Sequence, residues 1–172
     1  FFGKSQDQDK LFFGDATNTF SRQITFPETY KESDSLAMDF DSDGDLDIVI
    51  THLFGTPGRI LINPGDGNFT STTNSDTPNL QRYLTGSDFN NDGLLEFADA
   101  YYAGAWLNTG STVTRRSNIY QLIGSNTLGP MDSGDLDGDG LDDVIILHPS
   151  DTGATDKTGA FVCFNKNAGT SF

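Results

Sequence analysis

Cysteine, histidine, tryptophan and glutamate are all scarce in this sequence of 172 residues. The single cysteine, Cys163, excludes a disulfide framework within the chain and a zinc cluster built on thiolates, and a small residue of the core is its simplest interpretation. No apolar run approaches the roughly eighteen residues that a membrane-spanning helix needs, and the longest runs have the length of strands. We therefore expect no membrane span.

Basic residues are also few: 10 Lys and Arg stand against 25 Asp and Glu, which gives a net charge of -15. A surface this acidic repels phosphate backbones, so nucleic acid is not an expected partner. Nearly all of the acidic residues are Asp, since Glu occurs only at positions 28, 32 and 96. The acidic excess could serve general solubility or could hold cations, and the positions of the Asp residues decide between the two.

The Asp residues are concentrated in a nine-residue loop pattern that occurs at 39–47, 88–96 and 135–143. The first residues of the copies are 49 (39 to 88) and then 47 (88 to 135) positions apart. Each loop lies between two apolar β-prone runs, and a third apolar run follows that ends in Asn63, Asn108 or Asn165, before a turn and a further strand start. No segment shows sustained helical periodicity. Four short antiparallel strands in a repeat of about 48 residues are typical of a β-propeller blade.

The repeat predicts an all-β fold of β-propeller blades with four antiparallel strands each, about three and a half blades in this chain. The predicted units are 1–34, the C-terminal half of a blade; 35–81, with loop 39–47; 82–128, with loop 88–96; and 129–172, with loop 135–143 and a truncated last strand. In the first unit, residues 11–14 align with residues 60–63, which follow the Asp loop 39–47 in the second unit. We therefore expect a further Asp loop upstream of Phe1.

The loops have the composition of calcium sites. Positions 1, 3, 5 and 9 carry oxygen-bearing side chains, position 6 is Gly, which allows a sharp turn, and the backbone carbonyl of position 7 can add another oxygen. Ca²⁺ takes about six to eight such oxygens, so we predict three Ca²⁺ sites. The predicted ligands are Asp39, Asp41, Asp43, Asp45 and Asp47; Asp88, Asn90, Asp92, Leu94 and Glu96; and Asp135, Asp137, Asp139, Leu141 and Asp143, with Asp45, Leu94 and Leu141 acting through their carbonyls.

Other interpretations of the loops are less consistent with the sequence. Surface turns alone would not explain three equally spaced copies. An EF-hand needs a bidentate Glu at position 12, where this chain has Ile50, Asp99 and Ile146. Magnesium prefers octahedral geometry with retained waters, and zinc prefers nitrogen or sulfur ligands. Because Asn90 and Glu96 leave the second loop with three carboxylates where the others have four, we predict that it is the weakest site.

The loops and their flanking strands resemble the VCBS/FG-GAP repeats, which build calcium-binding β-propellers in the integrin α-subunit head and in many bacterial surface and secreted proteins. The resemblance covers nearly the whole chain. It implies a complete ring of about seven blades, in which the Asp loop joins the first two strands of each blade. Of the integrin signatures beside the loop only Pro149 is present, which favours the broader VCBS type over integrin-type ligand recognition.

Few residues outside the loops invite a catalytic interpretation. His52 and His148 occupy equivalent places in their repeats, with Tyr101 at that place in the middle repeat, which favours packing at a strand end. Asp99 interrupts an otherwise apolar strand, so we expect it to be paired or to face a groove. Trp106 and two nearby tyrosines could stack on a sugar, although packing between blades is the simpler interpretation.

No nucleophile elbow, phosphate loop or pair of catalytic carboxylates is visible outside the loops, so we do not expect an enzyme. We predict a secreted or cell-surface scaffold that binds a protein or glycan. Loops without a strong bidentate ligand bind Ca²⁺ at roughly 10⁻⁴ to 10⁻³ M, which suits the calcium concentration outside cells. One alternative is a subunit of an extracellular filament or sheath that assembles itself through open blade edges. Another alternative is the propeller part of a polysaccharide-active enzyme. Separately, Asn68 begins a sequon for N-linked glycosylation.

Overall fold

The computed structural model describes residues 10–17, 19–26, 32–52, 58–72, 83–99, 104–110, 113–118, 129–148 and 159–166. All regular structure within these ranges is β-strand. The strands are β1 Lys10–Phe13, β2 Arg22–Thr25, β3 Glu32–Met38, β4 Asp47–His52, β5 Arg59–Ile62, β6 Thr70–Thr72, β7 Leu84–Ser87, β8 Glu96–Asp99, β9 Gly104–Asn108, β10 Val113–Asn118, β11 Met131–Gly134, β12 Asp143–His148 and β13 Gly159–Cys163. The described residues contain no helix with the length and apolar character of a membrane span.

The strands form four antiparallel sheets in which neighbours in sequence are neighbours in space. They comprise β1-β2, β3-β4-β5-β6, β7-β8-β9-β10 and β11-β12-β13. This up-and-down order is that of propeller blades, so the predicted all-β fold of partial blades is confirmed. The strand predicted at Phe172 lies outside the described residues, and the predicted boundaries between blades stay a prediction.

The sheets stack face to face, which explains why their second strands are apolar on both sides. In β4, Val49 packs in one cluster with Phe97 and Trp106 of the following sheet, whereas Ile50 packs in another with Phe26, which follows β2. A strand that is buried on both faces has a continuous apolar run and not an alternating pattern. The runs after each Asp loop are therefore the centres of the sheets.

The first strands of successive sheets lie side by side, since β7 contacts both β3 and β11. A side chain joins two of these sheets directly: the amide of Leu84 donates to Asp34 Oδ2 at 3.0 Å. Gly86 lies at the same contact, and a Cβ there would be only 2.7 Å from Leu36 Cδ2. The sheets approach so closely at this point that only glycine fits without movement of its neighbour.

Candidate metal-binding loops

The three Asp loops connect β3 to β4, β7 to β8 and β11 to β12, as the family resemblance implied. Each loop contains left-handed backbone at position 6, which is Gly in every copy and has φ between 88° and 94°. Position 4 is left-handed too, with φ of 62° at Ser42, 59° at Asn91 and 80° at Gly138. Residues other than Gly adopt this conformation at a cost in energy, and the cost is small for Asn. Two left-handed residues thus turn the loop, of which the sequence indicated only one.

Backbone amides fix the carboxylates at positions 1 and 5. The amide nitrogen of position 6 donates to the carboxylate of position 1 at 3.1 Å (Gly44 to Asp39), 2.9 Å (Gly93 to Asp88) and 3.0 Å (Gly140 to Asp135). The amide of position 7 donates to the carboxylate of position 5 at 2.9 Å, 2.9 Å and 3.0 Å in the three copies. These bonds hold the acidic side chains in a fixed arrangement within each loop.

The acidic side chains converge. In the first loop, single carboxylate oxygens of Asp39, Asp41 and Asp43 all lie within 4.8 Å of one another. The third loop brings Asp135, Asp137 and Asp143 together within the same distance. Hard cations such as Ca²⁺ bind to groups of oxygens of this kind.

The second loop places an amide among its carboxylates. Asn90 Nδ2 donates to Asp92 Oδ2 at 2.9 Å and to Glu96 Oε1 at 3.4 Å. Its Oδ1 accepts the amide of Asp92 at 2.9 Å. The Asn side chain therefore offsets part of the carboxylate repulsion in this loop, and the predicted lower calcium affinity stays a prediction.

Position 9 has a role in the fold that the sequence did not indicate. The side chain of Asp47 is fully buried, and its two oxygens accept the amide of Phe40 at 2.9 Å and the amide of Asn63 at 2.7 Å. Asp143 makes the same two bonds in the third repeat, at 3.0 Å and 2.8 Å. This carboxylate thus ties the start of the loop to the end of the third strand.

The Asn at or just after the end of the third strand connects successive repeats. Asn108 Nδ2 donates to the carbonyl of Phe40 in the preceding loop at 2.6 Å and to the carbonyl of Leu95 in its own loop at 3.1 Å. Asn165 makes the same pair of bonds one repeat later, at 2.6 Å and 3.2 Å. The recurrence of Asn was visible in the sequence, but its partner in the preceding loop was not.

Three buried carboxylate oxygens of the first two loops accept no hydrogen bond: Asp39 Oδ1, Asp41 Oδ1 and Glu96 Oε2. Burial, with repulsion from the other carboxylates of its loop, raises the pKa of Glu96 from 4.5 to about 7. Burial and neighbouring carboxylates likewise raise the pKa of Asp41. Buried anionic oxygens without donors are costly, and a cation would satisfy them. The donors present in these two loops therefore fit a hard metal ion.

The third loop contains a cation of the protein itself. Lys166 Nζ donates to Asp137 Oδ2 and, at 3.0 Å, to Asp139 Oδ2. The hydrogen bond from Lys166 is the main cause of the lowered pKa of Asp139, and the hydrogen bond to Asp137 is the main cause of the raised pKa of Lys166. The acidic side chains of this loop thus attract positive charge.

Residues 39–98 match the family model of the FG-GAP-like repeat. This part of the chain is similar to an FG-GAP-like repeat. The matched residues contain the first two Asp loops and the strands β4, β5, β6 and β7 between them. The comparison with curated proteins found no match.

The core includes Asp99 and Trp106, two residues that the sequence left open to a functional interpretation. Asp99 is fully buried and accepts a 2.7 Å hydrogen bond from Trp106 Nε1, so it is paired and does not face a groove. Trp106 is only 7% exposed and packs between sheets, which excludes it from a sugar-stacking surface. Residues 101 and 102, the tyrosines of that hypothesis, lie outside the described residues.

Two other candidate residues, His52 and Cys163, also belong to the core. His52 is fully buried at the end of β4, as expected for packing at a strand end. The side chain of His148 lies outside the part that the structure describes. Cys163 is buried, and burial raises the pKa of its thiol to about 11. It is therefore a core residue, as the sequence predicts, and not a reactive thiolate.

Proposed function

We propose that this protein is an extracellular binding scaffold built of FG-GAP-like repeats, whose Asp loops each hold one Ca²⁺. The observation that carries the proposal is the set of buried carboxylate oxygens, on Asp39, Asp41 and Glu96, that accept no hydrogen bond. An unpaired buried charge destabilises the folded state, and ligation of a divalent cation removes that cost. Calcium suits an all-oxygen donor set of flexible geometry better than magnesium or zinc does.

The residues that would hold the ion are those that the loop pattern predicts. In the first loop they are Asp39, Asp41 and Asp43, whose oxygens converge. Asp47 would join them, because a carboxylate oxygen that accepts one backbone amide keeps a lone pair for a metal. The ion would supply positive charge and rigidity to the loop.

A binding role is favoured over an enzymatic one by the surroundings of Asp99 and Trp106. Both side chains are buried and form a hydrogen bond with each other, so neither is available to contact a polysaccharide. The predicted Ca²⁺ affinity of roughly 10⁻⁴ to 10⁻³ M supports an extracellular location. The net charge of -15 opposes binding to nucleic acid, and a protein or a glycan is the proposed ligand.

Thermal unfolding in CaCl₂, MgCl₂ and EDTA tests the proposal. With about 10 mM free Ca²⁺ and the affinities above, each site should stabilise the fold by about 1.4 to 2.7 kcal/mol. Asp43→Asn should lose one such increment. Asp132→Asn, which removes an exposed Asp outside the loops, should retain all of them. A melting temperature that is the same in CaCl₂ and EDTA would refute calcium binding.

Partner binding needs its own assay. The calcium-loaded chain should retain members of a glycan or extracellular-protein array, and the EDTA-treated chain should not. Light scattering on the same sample distinguishes the self-assembly alternative, because a filament subunit would scatter as a polymer.

A further inference from the structure

At the third Asp loop, a lysine of the chain is bound to the acidic side chains. Lys166 follows the Asn at the end of the third strand, and the equivalent residues of the other repeats are Pro64 and Thr109, neither of which is charged. Its ammonium contacts two side chains of the predicted calcium site, Asp137 and Asp139. Among the residues that the structure describes, an ion pair with a basic side chain is therefore found at this loop and not at the other two.

The fold places Lys166 beside the loop. Asn165, the preceding residue, is fully buried, and its backbone amide donates to Asp143 Oδ1 at 2.8 Å. Its side chain donates to the carbonyl of Phe89 at 2.6 Å. The Lys166 ammonium also lies 5.3 Å from the centre of the Phe164 ring, a distance at which cation–π attraction acts. The main chain before Lys166 is thus fixed, and its side chain has neighbours on both sides.

We propose that Lys166 is a built-in competitor of calcium at the third loop. This inference rests on the proposed calcium binding. The ammonium holds Asp137 and Asp139 together in the calcium-free protein, and it must leave when a metal ion takes the same oxygens. A positive charge that stays near the loop also repels the arriving ion. Lys166 therefore lowers the calcium affinity of the third loop and keeps the loop ordered when calcium is low.

The expected effect is modest, because Lys166 is 53% exposed and water screens the interaction. Exposed ion pairs of this kind change an equilibrium constant roughly two- to fivefold. Replacement of Lys166 by a neutral residue should therefore lower the apparent dissociation constant of the third loop by about that factor.

Calcium titration of the full chain, followed by ¹⁵N–¹H NMR, resolves the loops individually. The position-6 glycine amides, Gly44, Gly93 and Gly140, each donate to the first carboxylate of their own loop, so each reports on one site. In Lys166→Gln the calcium midpoint at Gly140 should fall roughly two- to fivefold, while the other two stay unchanged. Lys166→Arg should behave as the wild type.

The control is Lys10→Gln, which removes an exposed lysine on β1 and changes the net charge equally. It should leave all three midpoints unchanged. If the Gly140 midpoint does not fall in Lys166→Gln, or falls equally in Lys10→Gln, the competitor role is wrong. If none of the three amides responds to calcium in the wild type, the proposed function itself fails, which is a distinct result.

A second readout separates competition from a merely structural contact. In EDTA, Lys166→Gln should accelerate amide hydrogen exchange in residues 135–143, because the carboxylates lose their cation. In saturating calcium the same variant should exchange as slowly as the wild type or more slowly. Faster exchange under both conditions would show that Lys166 only supports the fold and would overturn the inference.

Discussion

Asp47→Asn is the substitution that best separates the role of position 9 in the fold from its role in metal binding. The carboxylate of Asp47 is fully buried and accepts two backbone amides, from Phe40 at 2.9 Å and from Asn63 at 2.7 Å. The Asn side chain has one acceptor oxygen, so its NH₂ group would face one of these two N–H groups. One buried amide then has no acceptor.

The cost can be worked out from these contacts. A hydrogen bond to a charged group contributes about 1.5 to 3 kcal/mol, and an unsatisfied buried donor costs about 1 to 3 kcal/mol. These terms overlap, so we expect the free energy of unfolding to fall by about 2 to 4 kcal/mol. In a chain of this size that corresponds to a melting temperature lower by roughly 5 to 15 °C.

The matched control is Asp43→Asn in the same loop. Asp43 is exposed, and its Oδ1 accepts the amide of Asp45 at 2.9 Å, a bond that Asn also makes. In EDTA this variant should stay within about 0.5 kcal/mol of the wild type.

Urea denaturation in EDTA and in CaCl₂ can be followed by the fluorescence of Trp106, the only tryptophan. Asp47→Asn should be destabilised under both conditions, and Asp43→Asn only in CaCl₂. If Asp47→Asn has the same free energy of unfolding as the wild type in EDTA, the position-9 carboxylate acts only as a metal ligand. Its two hydrogen bonds to backbone amides would then not stabilise the fold, and the prediction would be refuted.

Three further predictions use the same denaturation assay. Asn108→Ala should lower the free energy of unfolding by about 1 to 3 kcal/mol even in EDTA, because the carbonyl of Phe40 loses its donor. The exposed control Asn68→Ala should lower it by less than about 0.5 kcal/mol. Equal losses in the two variants would contradict the link between repeats. Ser42→Gly should raise the free energy of unfolding by about 1 kcal/mol, since φ is 62° at this position and glycine adopts left-handed backbone without strain. A lower free energy of unfolding would show that the contacts of the serine side chain matter more than the backbone strain. In EDTA, stability should fall as the pH rises from 4.5 to about 7, because the folded state holds a proton on Glu96 that the unfolded chain has released. Calcium or Glu96→Gln should remove this pH dependence, and a flat profile in EDTA would contradict it.

Much of the architecture was predictable because the sequence repeats both its polar and its apolar features. The spacing of the Asp loops indicated the length of a unit, and the apolar runs beside them indicated strands. Runs such as Ile48–Ile50 are continuous because the sheets cover both faces of the strand. Local chemistry also identified the position-6 glycines, since only Gly adopts left-handed backbone without cost.

The remaining features depend on contacts between repeats or on backbone conformations that the residue type does not indicate. Ser42 is left-handed although Ser does not mark such a position. Asp47 was predicted as a metal ligand like the rest, because its backbone donors cannot be inferred from spacing. Asn108 and Lys166 find partners 68 and 29 residues earlier in the chain. These partners follow from how the sheets stack, which no single repeat specifies.

The hydrogen bond from Asn108 to Phe40 has a consequence for how the protein would respond to calcium under the proposed function. Phe40 lies between two predicted ligands of the first loop, and the other acceptor of Asn108 is Leu95, next to Glu96 of the second loop. An adjustment of one loop on the proposed loading with calcium would therefore be transmitted to its neighbour through a single side chain. Nearest-neighbour coupling of this kind makes a row of sites fill with a steeper concentration dependence than isolated sites would show. The repeat array would then take up calcium over a narrower concentration range, because each ordered unit prepares the next.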